Sequence, residues 1–242
     1  MNEAIYILAP IVLFSFTIQA MTGFGSIVIA LTIAALFLPI PELLPVLVAL
    51  NLPLCLWVVT RQFDKIDFKL LLAIFPVMTL GVLGGVLLTP LLDGPVLKKV
   101  FGTIVVLFAL REIYLLIKGR DLATMSATEF QVWMSISGLV HGLYASGGPP
   151  LVYAVGRRVQ DKGVFRASLM FVWLIFNIIL FGIYLYQGRF TTHLAIETCI
   201  LMITIPIGLW AGEILHHRVP DKPFRMTIQV TLVLAGAALV FK

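Results

Sequence analysis

The sequence predicts an all-α integral membrane protein made of two inverted repeats, each a broken-helix hairpin followed by three transmembrane helices. Apolar composition, two glycine-rich breaks and the distribution of Lys and Arg lead to this fold class. Of the 242 residues, 60% are apolar and 12% charged, with a mean hydropathy of +1.06. In soluble domains about half of the residues are apolar and about a quarter are charged. One soluble core could not bury so many apolar side chains, which largely excludes soluble enzymes, nucleic-acid-binding modules and disordered linkers.

Six apolar runs have the length of ordinary membrane crossings. Each approaches the roughly twenty residues that a helix needs to cross the hydrocarbon region. Polar residues or Pro and Gly separate them from one another. The runs cover residues 42–60, 69–90, 98–117, 163–187, 190–215 and 222–241.

Two further apolar stretches must be broken. The first extends from Ile5 to Leu38, and as one straight helix it would be about 51 Å long against a hydrocarbon core of about 30 Å. Two glycines and two hydroxyl residues interrupt it at Thr22–Ser26, which we call the first break. The second stretch, 129–156, contains tandem glycines and prolines at Ala145–Pro150, the second break. A proline suits the first turn of a new helix, where its missing N–H would have no partner.

The basic residues indicate that both broken stretches double back as hairpins. If both crossed the membrane once, the two sides would carry 9 and 8 basic residues. If both double back, the split is 13 to 4, as the positive-inside rule expects for a cytoplasmic basic side. Both termini then lie outside. The thirteen are Arg61, Lys65, Lys69, Arg111, Lys118, Arg120, Arg157, Arg158, Lys162, Arg166, Arg218, Lys222 and Arg225, and the four are Lys98, Lys99, Arg189 and Lys242.

A hairpin plus three crossings is an odd number of net passes, so two such halves must be inverted relative to each other. Weak internal similarity supports a duplication. Gly81–Gly85 matches Gly208–Gly212 at an offset of 127 residues, and the breaks match at an offset of 122, which pairs Gly25 with Gly147. Two matches in the same order favour an inverted-repeat transporter. We expect a first repeat over 1–118, a cytoplasmic linker over 119–129 and a second repeat over 130–242.

The breaks are the predicted functional site. Interrupted helices leave backbone groups unpaired, which a membrane protein tolerates only beside a cavity or a binding site. The N-terminus of the second half-helix in each hairpin would present N–H groups and a positive dipole end to a small anion. Uncharged polar side chains at similar depth support this location. The candidate substrate-binding residues are Gln19, Thr22, Gly23, Gly25, Ser26, Asn51, His141, Tyr144, Ser146, Gly147, Gly148 and Asn177.

Several alternatives stay open from the residues alone. Ser, Thr, Asn and Gln also join membrane helices, and Gly also permits close helix packing. His141 is either a proton-linked switch or a satisfied buried histidine, and Glu197 is a second ionisable candidate. We expect no catalytic residues, no metal and no cofactor. The anion, the transport direction, coupling to protons or sodium, and homodimerisation are left open.

The order of these features resembles the sulfite exporter TauE/SafE family of bacterial anion permeases. The resemblance rests on the first break with Pro39 behind it, on His141–Pro150, and on the Gly81–Gly85 and Gly208–Gly212 segments. It implies a multi-pass carrier in the bacterial cytoplasmic membrane that exports or exchanges sulfite or an organosulfonate. The alternatives are a non-transporting membrane anchor or assembly subunit, and a carrier for short carboxylates. The expected partners are a small anion and the lipid bilayer, with no nucleic acid.

Overall fold

The computed structural model describes residues 3–119, 125–218 and 221–241, and within these ranges the chain is helical with no strand. The linker predicted at 119–129 therefore lies partly outside the described residues. Two short 3-10 turns occur at Phe63–Lys65 and Thr89–Leu91. The α-helices are α1 (Glu3–Thr22), α2 (Ser26–Ala34), α3 (Ile40–Arg61), α4 (Phe68–Leu88), α5 (Gly94–Lys118), α6 (Ala127–Tyr144), α7 (Gly148–Val155), α8 (Lys162–Tyr186), α9 (Thr192–Leu201), α10 (Thr204–Arg218) and α11 (Asp221–Phe241).

The described residues contain six segments that are long and apolar enough to cross a membrane, which confirms the predicted all-α membrane class. Five of them coincide with predicted crossings. The sixth is Ala4–Thr22, which the sequence had assigned to the first arm of a hairpin. The predicted crossing at 222–241 corresponds to α11, whose described apolar part, Met226–Phe241, is shorter. The six segments are Ala4–Thr22, Ile40–Arg61, Phe68–Leu91, Gly94–Lys118, Lys162–Tyr186 and Thr192–Leu215.

The predicted crossing at 190–215 is not one regular helix. It divides into α9 and α10 at Met202 and Ile203. Pro206 follows in the first turn of α10 and cannot donate to the carbonyl of Met202. The Thr204 hydroxyl donates to the carbonyl of Leu201 at 2.7 Å, and the Ile205 N–H donates to the carbonyl of Met202 at 3.1 Å. These local bonds tighten the backbone and interrupt the regular pattern.

Both long stretches are interrupted at the predicted breaks, and in the second the chain clearly reverses. Gly23 and Gly25 have φ values of 88° and 102°, and Ala145 has a φ of 51°. The Ser137 hydroxyl donates to the carbonyl of Gly147 at 2.6 Å. Ten residues of continuous helix would separate these positions by about 15 Å. The contact therefore requires α7 to fold back along α6, and α2 packs against α1 in the same manner.

Four helix pairs hold the bundle together: α4 with α6, α1 with α10, α3 with α8, and α5 with α11. Helix α2 lies inside this arrangement with nearly every residue buried. By contrast, Leu72, Leu80 and Leu107 expose most of their side chains on the outer faces of α4 and α5. Apolar side chains on the outside of a helical bundle are typical of a surface that contacts lipid.

Four basic residues that the sequence assigned to opposite sides lie at opposite ends of α3. Lys98 and Lys99 line a cavity beside Pro41, next to the start of α3, and Arg189 donates to the carbonyl of Pro41 at 3.2 Å. Lys65 follows the end of α3. The hairpin interpretation of the sequence also puts Lys98, Lys99 and Arg189 on one side of the membrane and Lys65 on the other.

Small residues allow α4 and α6 to approach closely. A Cβ built on Gly85 would lie 2.4 Å from the carbonyl oxygen of Leu139, and one on Gly142 would lie 2.2 Å from that of Val82. Gly81 and Gly138 meet in the same way one turn away. These backbones are in direct contact, as in small-xxx-small membrane packing.

We expect Gly142→Ala to destabilise the protein. The added methyl group would overlap the Val82 carbonyl, and overpacking of this kind costs about 1–3 kcal/mol. The measurement is thermal unfolding of the purified protein in detergent, with Gly182→Ala as the matched control. Gly182 lies within α8 with nothing within 4 Å of a built Cβ. Equal unfolding temperatures for the two variants would contradict the close packing of α4 and α6.

Candidate functional site

The two breaks meet at one small cavity, which we call the central cavity. Asn51, on its wall, is the twelfth of the 22 residues of α3, so the cavity lies about halfway along that helix. Its volume is about 20 Å³, room for about one water molecule. Its walls come from both hairpins and from α3 and α8. The lining residues are Gln19, Gly25, Ile27, Val28, Asn51, Ala145, Ser146, Gly148, Trp173 and Asn177.

Gln19 organises the first break. The backbone N–H of Ser26, at the start of α2, donates to the Oε1 atom of Gln19 at 3.1 Å, and the Ser26 hydroxyl donates to the same atom. The Nε2 atom of Gln19 lies 3.7 Å from the sulfur of Cys55 and 3.6 Å from that of Met170. Gln19 therefore satisfies one of the N–H groups that a helix N-terminus leaves without an internal partner.

The network continues across the cavity wall through two asparagines. The Nδ2 atom of Asn51 donates to the Gln19 carbonyl oxygen at 3.1 Å and to the Ser26 hydroxyl at 2.7 Å. The Nδ2 atom of Asn177 then donates to Asn51 Oδ1 at 2.9 Å, and the Cys55 thiol donates to the same oxygen at 2.9 Å. Asn51 thus connects α8 of the second half to the first break.

Several buried polar atoms at or beside the cavity have no hydrogen-bond partner among the described residues. They are Asn177 Oδ1, Ser146 Oγ and both ring nitrogens of His141. His141 is fully buried and stacks on Trp173, with ring centroids 5.5 Å apart. Buried polar groups in proteins are nearly always hydrogen-bonded, and leaving one unsatisfied costs about 1–3 kcal/mol. The unpaired donors and acceptors therefore fit a polar ligand or a water molecule.

The electrostatics of the cavity come from dipoles, because none of the described residues that line it carries a formal charge. Helix α2 directs its N-terminus there, where Ile27 and Val28 form part of the wall. Helix α7 also begins at the cavity, at Gly148, but its next two residues are prolines without an N–H group. The first break therefore supplies more backbone donors than the second, and Ser146 contributes a hydroxyl instead.

The structure brings half of the twelve predicted residues onto the wall of the central cavity. These six are Gln19, Gly25, Asn51, Ser146, Gly148 and Asn177. Three others support it without lining it. Ser26 bonds to Gln19 and Asn51, His141 stacks on Trp173, and Gly147 lies between two lining residues and packs against Ser137.

The remaining three predicted residues lie elsewhere. Tyr144 points away from the cavity, and its hydroxyl donates to the carbonyl of Leu97 on α5 at 3.0 Å. The Thr22 hydroxyl donates back to the carbonyl of Ile18 at 2.9 Å, and Thr22 faces a neighbouring apolar cavity. Gly23 packs against Arg166, whose Cγ would be 3.1 Å from a built Cβ. Each is close to a break in sequence, but the last helical turn directs it to another face.

Sequence reasoning missed Trp173 and Cys55. Trp173 lies four residues before Asn177 on α8, and Cys55 lies four residues after Asn51 on α3. Residues four apart share one face of a helix. That spacing was the signal that could have identified both of them from the two asparagines.

Comparison with known proteins yields one family. The model of the family described as sulfite exporter TauE/SafE matches residues 8–239, nearly the whole chain. No curated protein and no solved structure shows a significant match to the chain.

We expect Asn51 and Asn177 to be energetically coupled. Asn177→Leu removes a buried donor to Asn51 and should cost about 1–3 kcal/mol. In a double-mutant cycle with Asn51→Leu, the double variant should lose less free energy of unfolding than the two single variants lose together. The difference should be about 0.5–3 kcal/mol. The measurement is reversible unfolding in mixed micelles. Asn177→Leu combined with Ser135→Ala is the control, since Ser135 is exposed on α6. Additivity in the asparagine cycle would refute the coupling.

Proposed function

Because this chain belongs to the sulfite exporter TauE/SafE family, we propose that it is a secondary transporter that exports or exchanges sulfite or an organosulfonate across the cytoplasmic membrane. The observation that carries the proposal is the central cavity, where both broken helices meet around unpaired polar atoms. Family membership supports a membrane transporter of sulfur anions. The substrate-binding role of the cavity is our inference from its geometry.

An anion in the cavity would meet neutral donors. Ser146 Oγ is unpaired, and the first turn of α2 contributes backbone N–H groups with the positive end of a helix dipole. Such groups bind an oxyanion without the strong attraction of a fixed cation. Moderate affinity suits a carrier, because a transported anion must also leave.

The packing pattern supports two inverted repeats. Under the predicted repeat, α1 corresponds to α6, α3 to α8, α4 to α10 and α5 to α11. The observed pairs are reciprocal in this scheme: α4 packs on α6 as α10 packs on α1, while α3 pairs with α8 and α5 with α11. Asn51 and Asn177, 126 residues apart, bond directly to each other, close to the offsets of 122 and 127 that relate the other matched segments.

The arrangement supports alternating access as the proposed transport mechanism. The cavity has room for about one water molecule, whereas sulfite has four heavy atoms, so the walls must separate to admit it. Each hairpin packs against a helix of the opposite half. Rocking of the two halves would move the hairpins relative to α3 and α8 and expose the site to one side at a time.

We expect Ser146→Ala to reduce transport without destabilising the fold. The Ser146 hydroxyl has no partner among the described residues, so its loss breaks no internal bond. A hydrogen bond to a charged group contributes about 1.5–3 kcal/mol, so flux at low substrate should fall about ten-fold or more. Sulfite or methanesulfonate uptake into proteoliposomes is the measurement.

The matched control for this test is Ser135→Ala on the exposed face of α6 in the same hairpin, where the hydroxyl donates to the Gln131 carbonyl at 3.0 Å. Unchanged flux in Ser146→Ala would exclude the proposed site. Transport of short carboxylates but neither sulfur anion would refute the proposed substrate and leave the anion site intact. Absence of flux for every anion would favour a non-transporting subunit.

A further inference from the structure

The direction of every amide in the central network follows from one backbone donor. The Ser26 N–H can only donate, so the atom of Gln19 that it meets must be the carbonyl oxygen. Asn51 must then present its NH2 group to that oxygen, which turns Asn51 Oδ1 toward α8. Asn177 must in turn present its own NH2 group to Asn51 Oδ1.

The consequence is an acceptor at the cavity. With the NH2 group of Asn177 committed to Asn51, its Oδ1 atom is buried without a partner among the described residues. Asn177 lines the cavity and is 1% exposed. An amide oxygen repels a bare oxyanion and accepts a hydrogen bond from a protonated oxygen. Ser146, also on the wall, can donate to the deprotonated oxygens of the same ligand.

The charge of the cavity leads to the same ligand class. The N-termini of α2 and α7 together contribute at most about one positive charge, and no formal charge lies among the described lining residues. Arg166 packs on Gly23 outside the wall, and Glu213 acts on its charge electrostatically. The site therefore compensates about one negative charge, and a second would be left buried without a partner.

We propose that the central cavity selects singly charged oxyanions, so that hydrogensulfite, and not the sulfite dianion, is the transported form of sulfite. The inference rests on the proposed function and narrows its substrate. Monoanionic sulfonates fit the same site through their charge, provided that the alkyl group and not a bare oxygen lies beside Asn177 Oδ1. Sulfate, a dianion, is excluded.

The test compares sulfite with methanesulfonate in proteoliposomes that contain the full chain. At constant total sulfite, flux should fall about ten-fold per pH unit once the pH exceeds the pKa of hydrogensulfite. Methanesulfonate remains a monoanion throughout, so its flux should stay constant. This anion controls for titration of the protein's own groups near the site, namely His141 and Tyr144 on α6, Cys55 on α3, and Arg166 on α8. Excess sulfate should not reduce the flux of sulfite or of methanesulfonate.

Asn177→Leu separates recognition from structure. Hydrogensulfite loses its acceptor in this variant, whereas methanesulfonate never uses it, so the ratio of sulfite flux to methanesulfonate flux should fall about ten-fold at low pH. A purely structural role for Asn177 would lower both fluxes equally and overturn the acceptor assignment.

Other outcomes distinguish this inference from the proposed function. Sulfite flux that is constant or rises with pH while methanesulfonate flux is constant, or competition by sulfate, would overturn monoanion selectivity and leave the transporter assignment standing. Absence of flux for both anions would refute the proposed function and this inference together.

Discussion

The hydrogen bond from the Ser26 backbone N–H to Gln19 Oε1 is the interaction on which the centre of this protein depends. A backbone N–H at a helix start inside a membrane needs a partner, because neither water nor the helix supplies one. Gln19 provides it from the preceding helix and thereby fixes the return of the chain at the first break. The orientation of Asn51 and then Asn177 follows, so one backbone requirement determines which polar atoms remain free at the cavity.

Glycine has two separate roles in this structure. At Gly23 and Gly25 the backbone adopts positive φ values that let α1 end and α2 begin within a few residues. At Gly85 and Gly142 the backbone is regular helix, and the absent Cβ lets two helices touch. The first role creates the polar break. The second holds the second hairpin against α4.

Much of the fold was predictable because the membrane crossings and the two breaks depend on the lengths of apolar runs, which can be read from the sequence. Long apolar runs must span or be buried, and a 34-residue apolar run cannot remain one straight helix in a bilayer. The division between α9 and α10 was missed because Pro206 near a helix start is compatible with either a kink or a regular first turn. The first break correctly predicted that α1 ends at Thr22, but this arm was taken as half of a hairpin, whereas α1 is long enough to cross a membrane by itself.

The sequence by itself determined that this protein lies in a membrane, where its two long apolar stretches break, and which polar side chains lie close to those breaks along the chain. Only the tertiary structure decided which of those side chains meet. Helical spacing predicts which way side chains face only within one helix. A residue with positive φ, such as Gly25 or Ala145, turns the backbone, so the facing of the side chains after it cannot be predicted from that spacing. This is why Ser146 faces the central cavity while Tyr144, two residues earlier, bonds to α5. The pairing of Asn51 with Asn177 likewise needed α3 and α8 to be packed together.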